Sequence, residues 1–241
     1  MIILAAGMGT RLGSLTSTNP KALVKVADKT LIEYAVDAAR FIEAEKIIIV
    51  GGSGYDQLKR YLLEKKEYES SQIIVVENQD YRKGNLYSLR CTCPFIEREF
   101  FLTNVDHVFS KGMLREIRQR SRWLDSLRLF TDSKKKILLD QMKILAHDGQ
   151  VEKISKTLSE YNYGYTGADF CPQNDIEHFK QVIFETYEEQ ASKETAFNRL
   201  IENKRKVFVE DINGHNWFEV DTPDDLNEAE KLVFQKPEEW A

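Results

Sequence analysis

Directly after a short apolar run at residues 1–4 the chain reads Leu4-Ala5-Ala6-Gly7-Met8-Gly9-Thr10-Arg11-Leu12-Gly13, and this segment restricts the possible folds more than any other. A strand that runs into a glycine-rich loop lets backbone N–H groups approach an anion, because glycine has no side chain to hold the anion off. Dinucleotide-binding folds open in a similar way. They require GxGxxG, an immediate helix and an acidic residue about 20 positions on. Here the glycines fall at 7, 9 and 13, residues 16–20 are turn-like, and the next strand closes in Gly51-Gly52 rather than in Asp or Glu. The Gly-Lys-Ser/Thr of a Walker loop does not occur. A loop around a nucleoside triphosphate fits better, with N–H donors from the backbone and with Arg11 and Lys21 as cations for the phosphates.

Short apolar runs alternate with longer amphipathic ones, without repeats or low-complexity tracts. Leu31, Tyr34, Ala35 and Ala38 share one face at helical spacing within residues 30–41. Residues 46–50, 72–76 and 100–103 are strand-like, and residues 55–66, 175–189, 195–204 and 224–234 are helical in pattern. Strands that alternate with helices make parallel βαβ units. Asp148-Gly149 and Asn213-Gly214 each stand between two apolar runs and predict hairpin turns. The expected fold is α/β: a single Rossmann-like domain over residues 1–241, with a mixed, mainly parallel sheet, helices on both faces and late antiparallel strands.

Lys and Arg number 34 against 39 Asp and Glu, a net charge of -5. Such a chain lacks the broad basic surface of a general nucleic-acid binder. No apolar run approaches the about 20 residues that cross a bilayer, and the opening segment is too short and uncharged for a signal peptide. Cys91, Cys93 and Cys171 cannot build a disulfide framework or a two-knuckle metal site, and read as reduced thiols of a cytoplasmic protein.

The glycine loop together with Pro20-Lys21-Ala22-Leu23 closely resembles the signature of the sugar-phosphate nucleotidylyltransferase superfamily, whose MobA-like domains transfer NMP from an NTP to a phosphate monoester and release pyrophosphate. Glu77-Asn78, Tyr81, Gly84-Asn85 and Ser88-Leu89 resemble the segment where its cytidylyltransferases meet base and ribose. Asn104-Val105-Asp106-His107-Val108-Phe109, and the stretch from Trp217 through Val220-Asp221-Thr222-Pro223 to Leu226, are similar to the inositol-1-phosphate cytidylyltransferases, and the phosphocholine enzymes share part of the pattern. The resemblance is strong at residues 1–35, 77–110 and 215–232 and thin at 111–205.

The resemblance implies a nucleotide-binding half at 1–110 and an acceptor-binding half at 111–241. It implies nucleotide contacts at Leu4, Ala5, Ala6, Gly7, Gly9, Thr10, Arg11, Lys21, Glu77, Asn78, Gly84, Asn85 and Ser88, and acceptor contacts at Lys156, Thr166 and Gly167. It assigns Mg²⁺ to Asp106 and Asp221 and catalysis to Lys21, Arg11 and the same two aspartates. Asp221 could instead cap the following helix, but Thr222 serves as well and leaves Asp221 free. His107 reads as a packed or hydrogen-bonded residue, and the Lys134-Lys135-Lys136 run as a solvated loop.

The implied partners are CTP and a small phosphorylated acceptor, inositol 1-phosphate-like or phosphocholine-like. A uridylyl-, thymidylyl- or guanylyltransferase acting on a sugar phosphate or molybdopterin is the alternative enzyme. A regulatory nucleotide-binding module is the non-enzymatic one. The inositol enzymes are commonly joined to a membrane phosphotransferase domain, so a stand-alone enzyme and one domain of a longer protein are both expected forms. The oligomeric state stays open, a homodimer included.

Overall fold

Strand β1 (Ile2–Ala5) is apolar and buried at every position, the pattern of a strand covered on both faces. The computed structural model, which describes residues 1–138 and 140–241, shows what covers it. After a small antiparallel hairpin of β2 (Lys25–Val26) and β3 (Lys29–Thr30), the chain enters α1 (Leu31–Phe41) through a capping box. Thr30 and Glu33 there satisfy one another's backbone N–H groups. Strand β4 (Lys46–Gly51), α2 (Tyr55–Glu64), β5 (Gln72–Glu77), α3 (Asn85–Thr92) and β6 (Phe100–Asn104) complete a βαβ series. Strands β5, β4, β1 and β6 are parallel neighbours in that order.

The second half contains β7 (His107–Phe109), α4 (Lys111–Ser121), β8 (Leu127–Asp132), β9 (Lys143–His147), β10 (Gln150–Ser155) and β11 (Tyr163–Cys171). Then come α5 (Ile176–Glu185), α6 (Lys193–Glu202), β12 (Val207–Asp211), β13 (Trp217–Glu219) and α7 (Pro223–Gln235). The main sheet has nine strands in the order β5-β4-β1-β6-β11-β8-β12-β10-β9. Strand β11 enters antiparallel between β6 and β8, while β12 lies parallel to β8.

Alternation along the strands divides the core into two layers. Ile2 and Leu4 face Leu86 and Leu89 of α3, Phe179 of α5 and Phe197 of α6. Ile3 and Ala5 face Leu31 and Ala35 of α1, Leu58 of α2 and Val233 of α7. All four residues placed on one face of the first helix, Leu31, Tyr34, Ala35 and Ala38, are buried.

Asp148-Gly149 makes the expected hairpin, with positive φ at both residues, and joins β9 to β10. Asn213-Gly214 does not. Strand β12 stays beside β8 in the main sheet, whereas β13 pairs with β7. Trp217 packs in a third cluster with Phe109 and Phe130, and Phe218 packs with Val108 and Trp240, so β13 is held beside β7 and away from β12. The helix expected at 175–189 stops at Glu185, where Thr186 turns extended and its hydroxyl donates to the Val182 carbonyl.

Candidate active site

A cleft of about 420 Å³ opens over the carboxyl ends of β1 and β6, where open α/β sheets place their ligands. Leu4 and Ala6 line it, and Ala5 does not: strand alternation turns Ala5 into the opposite core layer. Gly7 faces open space. Gly9 has φ +64°, and a Cβ there would sit 2.9 Å from Cβ of Lys21, so the loop crosses directly over the lysine. Thr16 Oγ1 donates to the Gly9 carbonyl at 2.8 Å and fixes the crossing. Thr10 and Arg11 stand at the cleft wall.

Lys21 is buried, with Nζ 2.6 Å from Asp106 Oδ2 and 2.5 Å from Asp221 Oδ1. Pro20 and the fully buried Ala22 set the backbone that aims it. Asp106 follows β6, and its carbonyl accepts from the Val220 N–H at 3.0 Å, which ties the two aspartate-bearing segments together. Asp221 precedes α7 and is not its cap. Thr222 and Asp225 form the capping box, leaving the Asp221 carboxylate to Lys21 and to Arg11. Burial lowers the Lys21 pKa, but the two carboxylates outweigh it and hold the ammonium above its ordinary value. Burial raises both aspartates, and the Lys21 charge outweighs that and holds them below the usual carboxylate range.

Behind Asp106 stands His107, buried and hydrogen-bonded as its place beside an apolar strand predicts. His107 Nδ1 is 2.8 Å from Asp106 Oδ1 and Nε2 is 3.9 Å from Glu219. Asp106, His107 and Glu219 bring ligand-type atoms within 4.8 Å of one another. Burial, despite the nearby His107 charge, pushes Glu219 up to about 7.

At the other end of the cleft lie Tyr81, Arg82, Gly84, Asn85 and Ser88. Of the residues expected here, Asn78 is buried behind the wall. Its Nδ2 donates to Ser88 Oγ at 2.9 Å and its Oδ1 accepts from the Asp80 N–H, so it supports the site without lining it. Glu77 is exposed at the end of β5, outside the cleft lining. Gln190 belongs to the wall although it comes from the second half. Its Nε2 donates to the Arg82 carbonyl at 2.8 Å.

The expected acceptor residues are not brought together. Thr166 is fully buried and its hydroxyl donates to the Phe130 carbonyl. Gly167 packs against His107, where a Cβ would come within 2.1 Å of the ring, and its carbonyl accepts from Lys193 Nζ. Lys156 is exposed, and its carbonyl accepts from Lys143 Nζ. Both residues are enclosed where β11 runs between β6 and β8, and neither lines the cleft. The Lys134-Lys135-Lys136 run is not simply a solvated loop: Lys135 folds onto the Trp217 ring, 3.6 Å from its centroid, and burial lowers its pKa to about 8.

The model of the MobA-like NTP transferase domain matches residues 1–137. A bifunctional IPC transferase and DIPP synthase from Thermococcus kodakarensis is 30% identical over 235 residues, which is 97% of this chain and 50% of that protein. The chain thus spans about half the length of such bifunctional relatives. A choline-phosphate cytidylyltransferase from Streptococcus pneumoniae is 26% identical over 96% of this chain and 97% of its own length. The solved inositol-1-phosphate CTP transferase from T. maritima superposes with a TM-score of 0.82 at 24% identity, covering 98% of this chain and 96% of that one. Among the described residues no helix is long and apolar enough to cross a membrane.

Proposed function

Because this chain belongs to the family of MobA-like NTP transferase domains, we propose that it is a cytidylyltransferase, transferring CMP from CTP to a small phosphorylated alcohol with release of pyrophosphate. One observation carries the reading. The glycine loop, the Lys21 ammonium between Asp106 and Asp221, and the wall at residues 84–88 meet in a single cleft. The names of the relatives, cytidylyltransferases acting on different phosphate monoesters, support CTP as donor.

The chemistry asks little of acid–base groups. The acceptor phosphate has its second pKa near ~6 and is largely a dianion at neutral pH. Its oxygen bonds to the α-phosphorus as the bond to the β-bridging oxygen breaks, and that electron pair leaves with pyrophosphate. What the protein must supply is cationic charge and position. Lys21, on a flexible stem, is placed to pass from the carboxylates to phosphate oxygens. Arg11 stands at the wall for the outer phosphates, and the open backbone at Gly7 offers N–H donors. Asp106 and Asp221 converge from two strand ends as hard oxygen donors around one positive charge, which fits a divalent cation. They would hold Mg²⁺, which neutralises triphosphate charge when bound.

Residues 1–110 supply most of the nucleotide cleft in this reading, and residues 111–241 shape the acceptor side. The stretches at 104–109 and 217–226, which resemble the inositol-1-phosphate enzymes, favour a polyol phosphate such as inositol 1-phosphate over phosphocholine. The test is pyrophosphate release with each of CTP, UTP, GTP and dTTP against a panel of phosphate monoesters. Turnover with CTP and inositol 1-phosphate supports the reading, and faster turnover with another triphosphate replaces it.

A further inference from the structure

Strand β6 ends in Asn104, two residues before Asp106, and the sheet fixes its backbone there. Asn104 pairs with Leu4 of β1 in parallel register, and the Val105 N–H donates to the Leu4 carbonyl at 2.9 Å. Side chains alternate along a strand, so the Asn104 amide continues the row of Phe100 and Leu102. Leu102 packs with Leu86 and Leu89 of α3. An apolar row therefore closes in a carboxamide at the point where it opens into the cleft, which Asn104 lines.

The Asn104 Oδ1 atom is buried and accepts no hydrogen bond among the described residues. The other buried side-chain polar atoms left in this state are Arg128 Nε, Thr131 Oγ1 and Trp240 Nε1, and none of those residues lines the cleft. A buried acceptor without a donor is costly, and native proteins keep few of them. With the backbone held in the sheet, the donor has to come to this oxygen from a bound molecule.

Where Asn104 stands selects that donor. Asp106, two residues on, meets Lys21 at the phosphate end. The face that Asn104 shares with Leu102 turns towards α3, whose first turns carry the opposite wall. The part of a nucleoside triphosphate that joins base to phosphates is the sugar. Ionised phosphate oxygens only accept hydrogen bonds, whereas a sugar hydroxyl donates. We propose that Asn104 is a specificity-determining residue whose Oδ1 accepts from a ribose hydroxyl, so that the site selects ribonucleoside over deoxyribonucleoside triphosphates. This rests on the nucleotide reading given above, though not on the identity of the base. A site built to pair with a hydroxyl rejects the analogue that lacks it, because its buried group is then left unpaired.

The test is calorimetric binding, with Mg²⁺ present, of CTP, its 2′-deoxy and 3′-deoxy analogues, UTP, and zebularine triphosphate, in which hydrogen replaces the cytosine amino group. The full chain and Asn104→Ala are compared, with urea unfolding to establish that the variant is folded. The wild-type chain should bind at least one of the two deoxy analogues about 10- to 100-fold more weakly than CTP. In Asn104→Ala that ratio should fall to near one. Binding of both deoxy analogues as tight as that of CTP overturns the proposal without any change to the protein, as does an unchanged ratio in a folded Asn104→Ala. If the variant instead changes the ratio of CTP to zebularine triphosphate, the amide reads the base and the proposal falls. Tighter wild-type binding of UTP than of CTP overturns the cytidylyl reading and leaves the ribose comparison standing, and binding of neither overturns both.

Discussion

Lys21 reaches across 85 positions of sequence to Asp106, with its Nζ 2.6 Å from Oδ2 in a buried setting where Asp221 closes the other side. The ammonium is thereby held between two carboxylates inside the cleft.

Lys21→Ala should lower kcat by about 10²–10³ while weakening CTP binding far less, because the charge acts where it redistributes in the transition state. Single-turnover rates measured beside calorimetric CTP affinities separate the two. An equal loss in both would make Lys21 a simple binding residue.

Asp106→Asn and Asp221→Asn should each raise the Mg²⁺ concentration needed for half-maximal rate. Combined, they should cost much less than the product of the single losses, since groups that hold one cation act as a unit. Rates over a Mg²⁺ titration check this. Multiplicative losses would mean that the carboxylates work independently.

Gly84→Ala should damage the nucleotide site from outside the phosphate end. Gly84 has φ +109°, and a Cβ there would lie 2.2 Å from the Ala191 carbonyl oxygen. The start of α3 would have to leave the segment at 190–193. The expected effect is a KM for CTP raised by about 10-fold or more and a stability loss of about 1–3 kcal/mol, read from steady-state kinetics and urea unfolding.

The Thr30–Glu33 capping box gives a pH signature in stability. Burial raises the Glu33 pKa, but hydrogen bonds from Lys65 and from Thr30 outweigh it and hold the carboxyl at about 2, against an ordinary 4.5. A depressed folded-state pKa adds stability that is complete above the unfolded value and is lost as pH falls towards the folded one. Glu33→Gln should cost about 1–2 kcal/mol at pH 7, with Lys65 partly exposed and its share screened. The gap to wild type should narrow as pH falls from 4.5 towards 2. Urea midpoints at several pH values measure it.

The parts of the site that could be read from sequence are those whose residues announce their chemistry locally. The glycine loop, Lys21 and the aspartates at two strand ends all fall in one cleft. The alternation of short apolar strands such as β1, β4 and β6 with amphipathic helices likewise announces the parallel sheet. Long-range pairing leaves no such local mark. Nothing in residues 163–171 says that β11 will insert between β6 and β8, and that insertion is what buries Thr166 and turns Gly167 towards His107. The return of residues 190–193 to the cleft wall at Asn85, with Lys193 buried on Asp169, is equally silent. A lysine ahead of a helical stretch reads as solvated until its counter-ion, 24 residues away, is seen beside it.

The most direct measurement is phosphorus NMR of the full chain with Mg²⁺, CTP and inositol 1-phosphate. The account predicts loss of the triphosphate and monoester signals together, with inorganic pyrophosphate and a new pyrophosphate diester appearing in equal amounts, and no such change with Lys21→Ala over the same time. Release of inorganic phosphate without a diester, or a CTP mixture that stays intact while the same mixture made with UTP or GTP reacts, would contradict it.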